Sequence, residues 1–423
     1  MKVFKFGGAS INSIERIKNV AAIIQTFKGD KIFVIISAMG KITNALENVA
    51  LAFFEGKRDY ALQLFDDIKK EHNEVAANLG VAEVAAQIIK DIYTEIEWLL
   101  YDKPVRDYDY YYDQIVCSGE LLSTAIVSSY LNSIQIKNTW LDVRDIFRTD
   151  DNFRDATIDW AFTAQKVEEV ILPVFSNTNI ILTQGFIGAT DENESTTLGR
   201  EGSDYSAAIF ANMLGAESQT IWKDVEGVMN ADPKKFADAT FISELSYHEV
   251  IEMAYYGAQV IHPKTIKPLQ NKDIPLHVRC FLHPGLKGTI ISNQSVHNLP
   301  PIIVVKENQV IMQMSSKDFS FIGETGVSSL YKLFTETKIS PNITQSGAIS
   351  MLCSFDDKPE RIEKLALAAS ELFEVTVEKN ISLLTIRHYN DGIVQQLTTG
   401  KNILLLQKTK DTLQVLLVVG DGR

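Results

Sequence analysis

The sequence predicts a three-layer αβα domain of the α/β class, followed by one or two smaller α+β modules of the ferredoxin-like type. Through about residue 290, apolar runs of strand length alternate with helical patterns, which is typical of a parallel sheet covered on both faces. After a polar, proline-containing stretch at residues 293–301, the order becomes strand, helix, strand, strand, helix. The length of 423 residues also exceeds what one hydrophobic core usually holds, so two or three domains are expected.

The chain begins with a strand that runs into a glycine turn. Residues 3–6 form the strand, Gly7 and Gly8 form the turn, and a helical apolar pattern follows. Lys5 stands at the end of the strand, where its ammonium group can reach a phosphoryl group held by the loop amides. By itself this is weak evidence, because many α/β proteins open in this way and a lone lysine is usually solvated.

The next strand, residues 31–36, leads into a small polar loop at residues 37–44. Its hydroxyl groups stand at the carboxyl end of a strand, where open α/β sheets bind ligands. Residues 45–112 have helical periodicity and many charges, and we interpret them as a helical insertion whose tyrosines serve for packing. Glu120 follows in the first turn of another helix, where an acid usually complements the helix dipole.

The segment at residues 196–206 combines glycines, hydroxyl groups, Arg200 and Asp204 ahead of an apolar helical run. Amide groups at a helix N-terminus attract anions, and Arg200 adds a planar cationic fork for phosphate or carboxylate oxygens. The negative charge of Asp204 would repel a bound anion, so we expect its carboxylate to face a metal, an amine or a lysine. A polar turn capped by Ser203 or Asp204 is the alternative, but it does not account for Arg200.

The region after residue 300 predicts one complete ferredoxin-like module and a second one that is shortened. Little helix is expected between residues 390 and 401, which leaves the second module incomplete. The predicted strands are residues 310–314, 343–344, 349–355, 382–387, 402–407 and 413–419, and the predicted helices are residues 326–335 and 359–373.

Composition excludes several classes of function. No apolar run approaches the roughly 20 residues of a membrane span and a strand begins at once, so we expect a cytoplasmic protein without a membrane partner. The net charge of -13 argues against a nucleic-acid partner. Cys117, Cys280 and Cys353 match no metal-binding spacing, so buried free thiols are expected and no protein metal ligands are assigned.

Seven motifs in order resemble those of aspartate kinases, members of the amino-acid kinase superfamily that carry C-terminal ACT modules. The resemblance implies a kinase domain over residues 1–292 and an ACT-type regulatory region over residues 300–423. The motifs are Lys5-Phe6-Gly7-Gly8, Ser37-Ala38-Met39-Gly40, Ser118-Gly119-Glu120, Gly185-Phe186-Ile187-Gly188, residues 196–204, residues 222–233 and residues 257–263.

The resemblance implies transfer of the γ-phosphoryl group of ATP to the side-chain carboxylate of L-aspartate, the first step of lysine, threonine and methionine biosynthesis, with Mg²⁺ spanning the nucleotide phosphates. Its implied catalytic residues are Lys5, Glu120, Arg200 and Asp204. Those implied for the nucleotide are Lys5, Gly7, Gly8, Lys223, Asp224, Met229, Lys234 and Gln259. Those implied for the substrate are Ser37, Ala38, Thr43, Glu120, Phe186, Arg200, Ser203 and Asp204.

Five positions depart from the family pattern in the kinase region: Lys223, Met229, Lys234, Gln259 and Glu201. Gln259 stands where many relatives carry a lysine, and Glu201 stands where a glycine is usual. The alternatives are therefore a catalytically silent ACT-type amino-acid sensor, which Gln259 favours, and a related kinase of another acidic amino acid.

The resemblance also implies regulation by an end-product amino acid, lysine or threonine, in a homodimer or higher homo-oligomer. Residues 319–326 and 341–346 occupy the matching region. Pro341 stands where lysine-sensitive relatives often carry an acid, so the sequence does not name the effector.

Overall fold

The computed structural model describes residues 1–419, which divide into two compact units. Residues 1–228, 241–251 and 260–296 form the first unit, and the second contains residues 229–240, 252–259 and 297–419. The helices are α1 Ile14–Thr26, α2 Ile42–Phe54, α3 Arg58–Asn78, α4 Ala82–Tyr101, α5 Tyr108–Val116, α6 Ser118–Ser133, α7 Trp160–Lys166, α8 Leu172–Val174, α9 Gly202–Met213, α10 Tyr247–Tyr255, α11 Pro263–Gln270, α12 Gly323–Glu336, α13 Pro359–Ser370 and α14 Asp391–Thr398. The strands are β1 Lys2–Phe6, β2 Ile32–Ile36, β3 Thr139–Trp140, β4 Ile180–Gln184, β5 Ile187–Ala189, β6 Ser195–Thr197, β7 Ser218–Lys223, β8 Val228–Met229, β9 Phe241–Ile242, β10 Glu244–Ser246, β11 Leu276–Cys280, β12 Thr289–Ser292, β13 Ile302–Ser316, β14 Ile343–Ser346, β15 Ser350–Asp356, β16 Phe373–Arg387, β17 Ile403–Lys408 and β18 Thr412–Val418.

The first unit is built on an eight-stranded sheet of order β10-β12-β11-β7-β1-β2-β4-β3. Its strands pair in parallel except β11 and β12. Strands β2 and β4 are buried along their whole lengths. The continuous apolar run of β2 is typical of a strand whose two faces are covered by helices. Together with the antiparallel sheet of the second unit, this confirms the predicted fold class.

The register of three neighbouring strands places the site. Phe6 of β1 pairs with Ile36 of β2, and Ile36 pairs with Gln184 of β4. The residues that follow each strand therefore lie at one edge of the sheet, where parallel strands present their carboxyl ends. This edge gathers the glycine turn, the polar loop after β2 and Gly185.

The second unit contains a six-stranded antiparallel sheet of order β14-β15-β13-β16-β18-β17. Its two central strands, β13 and β16, have 15 residues each, so they are long enough to belong to two modules. One half of the pair carries β14, β15, α12 and α13 around a core that includes Leu330, Phe355 and Leu365. The other half carries β17, β18 and α14 around a core that includes Ile386 and Val415.

The expectation of little helix between residues 390 and 401 was wrong. Helix α14 occupies Asp391–Thr398, and the side chain of Asn390 caps it by accepting the Ile393 N–H at 3.0 Å. Gly392 and the β-branched residues lower the intrinsic helix propensity, but Ile393, Val394 and Leu397 pack on the module core. The cap and this burial outweigh the weak propensity.

All three cysteines are free and buried, as expected. Among residues 1–419, no helix has both the length and the apolar character needed to cross a membrane.

Candidate active site

A cleft of about 450 Å³ in the first unit brings together most of the residues that the sequence assigns to catalysis and to the substrate. It is lined by Lys5, Ser37, Thr43, Glu120, Phe186, Arg200, Ser203 and Asp204, together with Tyr112, Arg154, Thr197, Gly199, Glu201 and Gly202. Ala38 contacts this set through its backbone N–H, which lies 3.4 Å from Glu120 Oε1. These residues come from six separate segments of the chain.

A buried ion pair lies at the glycine turn. Lys5 Nζ is 2.6 Å from Asp204 Oδ1, and their side chains are only 13% and 6% exposed. A Cβ atom added to Gly7 would lie 3.3 Å from Lys5 Nζ, so the ammonium group sits over the turn. Asp204 therefore faces a lysine, which is one of the three partners that its charge predicted.

The N-terminus of α9 lies against the edge of the sheet. Ser203 accepts a hydrogen bond from Ser37 with an Oγ–Oγ distance of 3.0 Å, and Gly185 permits the approach because an added Cβ atom would lie 2.9 Å from Ser203 Cα. Neither Ser203 nor Asp204 caps the helix, whose N-cap residue is Glu201 without a side-chain cap. The capped-turn alternative is therefore wrong, because both side chains are held by partners distant in sequence.

Glu120 places a carboxyl group in the cleft that is almost removed from water. The residue is 2% exposed, and its Oε2 has no hydrogen-bond partner within residues 1–419. Burial raises the pKa of Glu120 to about 8, against a lowering by the Ala38 N–H and by the charge of Lys5. A buried acid of this kind is poised to ionise when a cationic group enters the cleft.

Asp113 anchors the strand that precedes Arg200. It is fully buried and accepts hydrogen bonds from the backbone N–H of Thr197 at 2.8 Å, from Thr197 Oγ1 at 2.7 Å and from the Arg154 N–H at 3.0 Å. Burial nevertheless raises the pKa of Asp113 to about 7. Asp113, Tyr112 and Arg154 were not predicted as site residues from the sequence. The tyrosine-rich run at residues 107–113 was the only signal for the first two, and it was interpreted as packing.

The residues assigned to the nucleotide fall in both compact units. Lys223 ends β7, where its Nζ donates to the Val260 carbonyl oxygen at 2.7 Å, and Asp224 follows on an exposed turn. Met229, Lys234 and Gln259 belong to the second unit, where Lys234 and Gln259 are exposed. Gly8 keeps the turn after β1 close to the loop after β2, because an added Cβ atom would lie 2.7 Å from the Ala38 carbonyl oxygen.

Glu201 has a left-handed backbone with φ of 56°. Side chains with a Cβ atom are strained in this conformation, which explains why glycine suits the position. Glu201 lines a cleft that also contains Glu120 and Asp204, so its negative charge opposes the binding of anions there.

We expect Glu201→Gly to leave the free energy of unfolding unchanged or to raise it by up to about 1 kcal/mol, because relief of the left-handed strain is partly offset by the entropy of glycine in the unfolded chain. Glu201→Ala removes the same charge but keeps the strain, so it should be the less stable of the two. Urea denaturation compares them. A lower stability of the glycine variant would show that the Glu201 side chain stabilises the loop.

Chemically, the cleft suits a substrate with both negative and positive groups. Lys5, Arg154 and Arg200 supply three cations, while Glu120, Glu201 and Asp204 supply three carboxyl groups. Among the described residues, no group of three or more His, Cys, Asp or Glu side chains could hold a metal ion. A metal ion here would need ligands from the substrates, as Mg²⁺ has when it is bound to nucleotide phosphates.

Comparisons with known proteins agree with this architecture. The chain is 29% identical over 395 residues to lysine-sensitive aspartokinase 3 of Escherichia coli strain K12, which covers 91% of this chain and 86% of that protein. It is 31% identical over 392 residues to the chloroplastic aspartokinase 1 of Arabidopsis thaliana, covering 89% of this chain and 66% of that protein. The structure superposes on Escherichia coli aspartokinase III in complex with aspartate and ADP with a TM-score of 0.83 and 27% identity, over 99% of this chain and 96% of that one.

The resemblance to aspartate kinases is thus confirmed by relatives that match most of the chain. The family model for the amino acid kinase family matches residues 1–280, which include every residue that lines the cleft. The chain belongs to the amino acid kinase family.

Proposed function

We infer that the chain is an aspartate kinase, which transfers the γ-phosphoryl group of ATP to the side-chain carboxylate of L-aspartate and releases 4-phospho-L-aspartate and ADP. The observation that carries this inference is the cleft itself, in which the Lys5–Asp204 pair, Arg200 and the buried Glu120 line one space. The relatives that match most of the chain bear the name aspartokinase. A silent sensor has no comparable support, since Lys5, Glu120, Arg200 and Asp204 are all present.

In this reaction an oxygen of the substrate β-carboxylate attacks the γ-phosphorus, and the bond from that phosphorus to the bridging oxygen of ADP breaks. The attacking group is already ionised at neutral pH, so no general base is needed. Catalysis then consists of positioning and of neutralising the charge on the transferring group. Lys5 neutralises phosphoryl oxygens above the glycine turn, and Asp204 keeps its ammonium group in place.

The substrate L-aspartate carries two carboxylates and one ammonium group. We assign the α-carboxylate to Arg200, whose guanidinium can bind it through two parallel hydrogen bonds. Glu120 receives the α-ammonium group, which supplies the cation that its buried carboxyl group lacks. Ser37, Ala38, Thr43, Phe186 and Ser203 complete the substrate-binding set.

ATP binds with its phosphates at Gly7, Gly8 and Lys5. Mg²⁺ bound with ATP would supply further neutralisation of the phosphate charge beside Lys5 and the amides of Gly7 and Gly8. The further nucleotide contacts that we propose are Lys223, Asp224, Met229, Lys234 and Gln259.

We also propose feedback by an end-product amino acid in a homodimer. Lysine is the first effector to test, because one relative is named lysine-sensitive.

Phe319 and Phe321 precede α12 and are 83% and 80% exposed, as suits apolar side chains that a second copy of the chain covers. Sedimentation should give a dimer, and initial rates with lysine, threonine and methionine identify the effector.

The reaction is tested by trapping the acyl phosphate with hydroxylamine. We expect formation of the hydroxamate that depends on L-aspartate, MgATP and enzyme, with one ADP released for each hydroxamate. L-Glutamate serves as the matched acceptor, since it differs by one methylene group. Turnover with glutamate alone would identify a different kinase, and no turnover with either acid would favour the sensor.

A further inference from the structure

Three residues in the wall of the cleft adopt a backbone conformation that disfavours side chains. Arg154, Phe186 and Glu201 have φ values of 70°, 73° and 56°. Such strain persists only where the surrounding structure holds it, and it is concentrated at functional sites. Of these three residues, only Arg154 is positively charged, and it has no role in the proposed transfer of the phosphoryl group.

The backbone of Arg154 is held against the loop that carries Arg200. Its N–H donates to Asp113, which also binds Thr197 two residues before Gly199. A Cβ atom added to Gly199 would lie 3.0 Å from the Arg154 carbonyl oxygen. The backbone of Arg154 is therefore fixed against Gly199, the residue that precedes Arg200 in the chain.

The guanidinium group of Arg154 is held by contacts that it can exchange at low cost. It lies 3.2 Å from Asp109 Oδ1 and 3.5 Å from Glu47 Oε1, and these acids are 57% and 43% exposed. Exposed ion pairs of this kind contribute little. The group also lies 4.2 Å from the centroid of the Tyr112 ring, another residue of the cleft wall.

We propose that Arg154 is a second arginine for the acceptor amino acid, and that it binds the α-carboxylate together with Arg200. This inference rests on the proposed function. Two guanidinium groups supply more donors than one, so the α-carboxylate can be held by more than a single bidentate pair. Arg154 thereby determines specificity for an acceptor that bears a carboxylate besides the one that is phosphorylated.

Arg154→Gly is the decisive variant, because glycine accepts φ of 70° without strain. We expect the KM for L-aspartate to rise about tenfold, with the KM for ATP within twofold of wild type. The midpoint of thermal unfolding should stay equal or increase. A merely structural arginine would instead lower the unfolding midpoint when it is removed. Arg154→Lys should restore part of the affinity.

The α-amide of L-aspartate, L-isoasparagine, identifies the group that Arg154 binds. It retains the reacting carboxylate but lacks the α-carboxylate, so Arg154→Gly should change its KM by less than twofold. Arg106→Gln is the matched control: Arg106 also pairs with an acid, Glu194, and lies 4.0 Å from the centroid of the Tyr110 ring, but it does not line the cleft. Its KM values should equal those of wild type.

Each other outcome overturns the proposal. An unchanged KM for L-aspartate, or an equal increase for L-aspartate and L-isoasparagine, would remove Arg154 from the α-carboxylate. An increase confined to ATP would assign it to the nucleotide. If the wild-type protein does not phosphorylate L-aspartate, the proposed function fails first, and this inference fails with it.

Discussion

Lys5→Ala is expected to lower kcat by roughly a thousandfold, which is the upper range for loss of one charged donor to a developing anion. Lys5 Nζ sits over Gly7, where the phosphates are proposed to bind, and Asp204 holds it there. Steady-state rates of ADP release with L-aspartate measure the loss. A rate close to that of wild type would remove Lys5 from the mechanism.

The same substitution should destabilise the protein by about 3–5 kcal/mol, because it leaves the Asp204 carboxylate buried without its partner. Lys5→Ala combined with Asp204→Ala should recover much of this stability but none of the activity. Lys2→Ala is the matched control on the same strand, where the pair with Asp30 is 29% and 44% exposed. It should change the free energy of unfolding by less than about 1 kcal/mol and leave kcat unchanged.

Glu120→Gln is expected to lower kcat/KM for L-aspartate roughly a hundredfold at pH 8, because it removes the buried carboxylate proposed for the α-ammonium group. The wild-type pH dependence follows from the pKa of about 8. Below pH 8 the Glu120 carboxyl group of the free enzyme is protonated, and this proton must leave when the ammonium group of L-aspartate binds. Affinity for L-aspartate should therefore rise by up to about tenfold per pH unit from pH 6 to pH 8, and Glu120→Gln should abolish this slope.

The pH dependence of the free energy of unfolding gives an independent check on the pKa of Glu120. The pKa of Glu120 is raised in the folded protein, so the unfolded chain loses this proton near pH 4.5, the usual value for a glutamate, and the folded chain loses it near pH 8. The contribution of Glu120 to stability is therefore full below pH 4.5 and declines as the pH rises toward 8, by on the order of a few kcal/mol. Glu120→Gln should lack this part of the decline, while the smaller decline from Asp113, whose pKa burial raises to about 7, should remain.

Glu249→Gln is the control for both measurements, since Glu249 is also buried but does not line the cleft. It should keep the pH slope of aspartate affinity. A slope that persists in Glu120→Gln would assign the titration to another group.

Local patterns were sufficient to predict the fold class and to select most of the residues that line the cleft. Apolar runs such as residues 31–36 predicted buried parallel strands because a strand covered on both faces needs apolar residues throughout. The glycine turn after β1 and the segment at residues 196–206 predicted an anion site, because glycine and helix N-termini expose backbone amides. The order of these motifs also predicted the family.

Helix α14 shows why boundaries in the second unit were harder to predict. Its segment is poor in helix-forming residues, and its stability comes from a cap and from burial of Ile393, Val394 and Leu397. The strands β13 and β16 were also longer than predicted. They pair with each other over most of their lengths, and β13 also pairs with β15 in one module while β16 pairs with β18 in the other. Such pairing depends on residues that are distant in sequence.

The sequence by itself determined the parallel-sheet domain, the antiparallel module after it and most of the charged residues that line the cleft, since these follow from short-range periodicity and residue type. Only the tertiary structure decided which side chains and loops meet: Asp204 with Lys5, Asp113 with Thr197, and the backbone of Arg154 with Gly199. It also decided that Arg154 and Glu201 take left-handed conformations. These outcomes depend on how separate loops pack at one edge of the sheet, and packing of that kind is not encoded in any single segment.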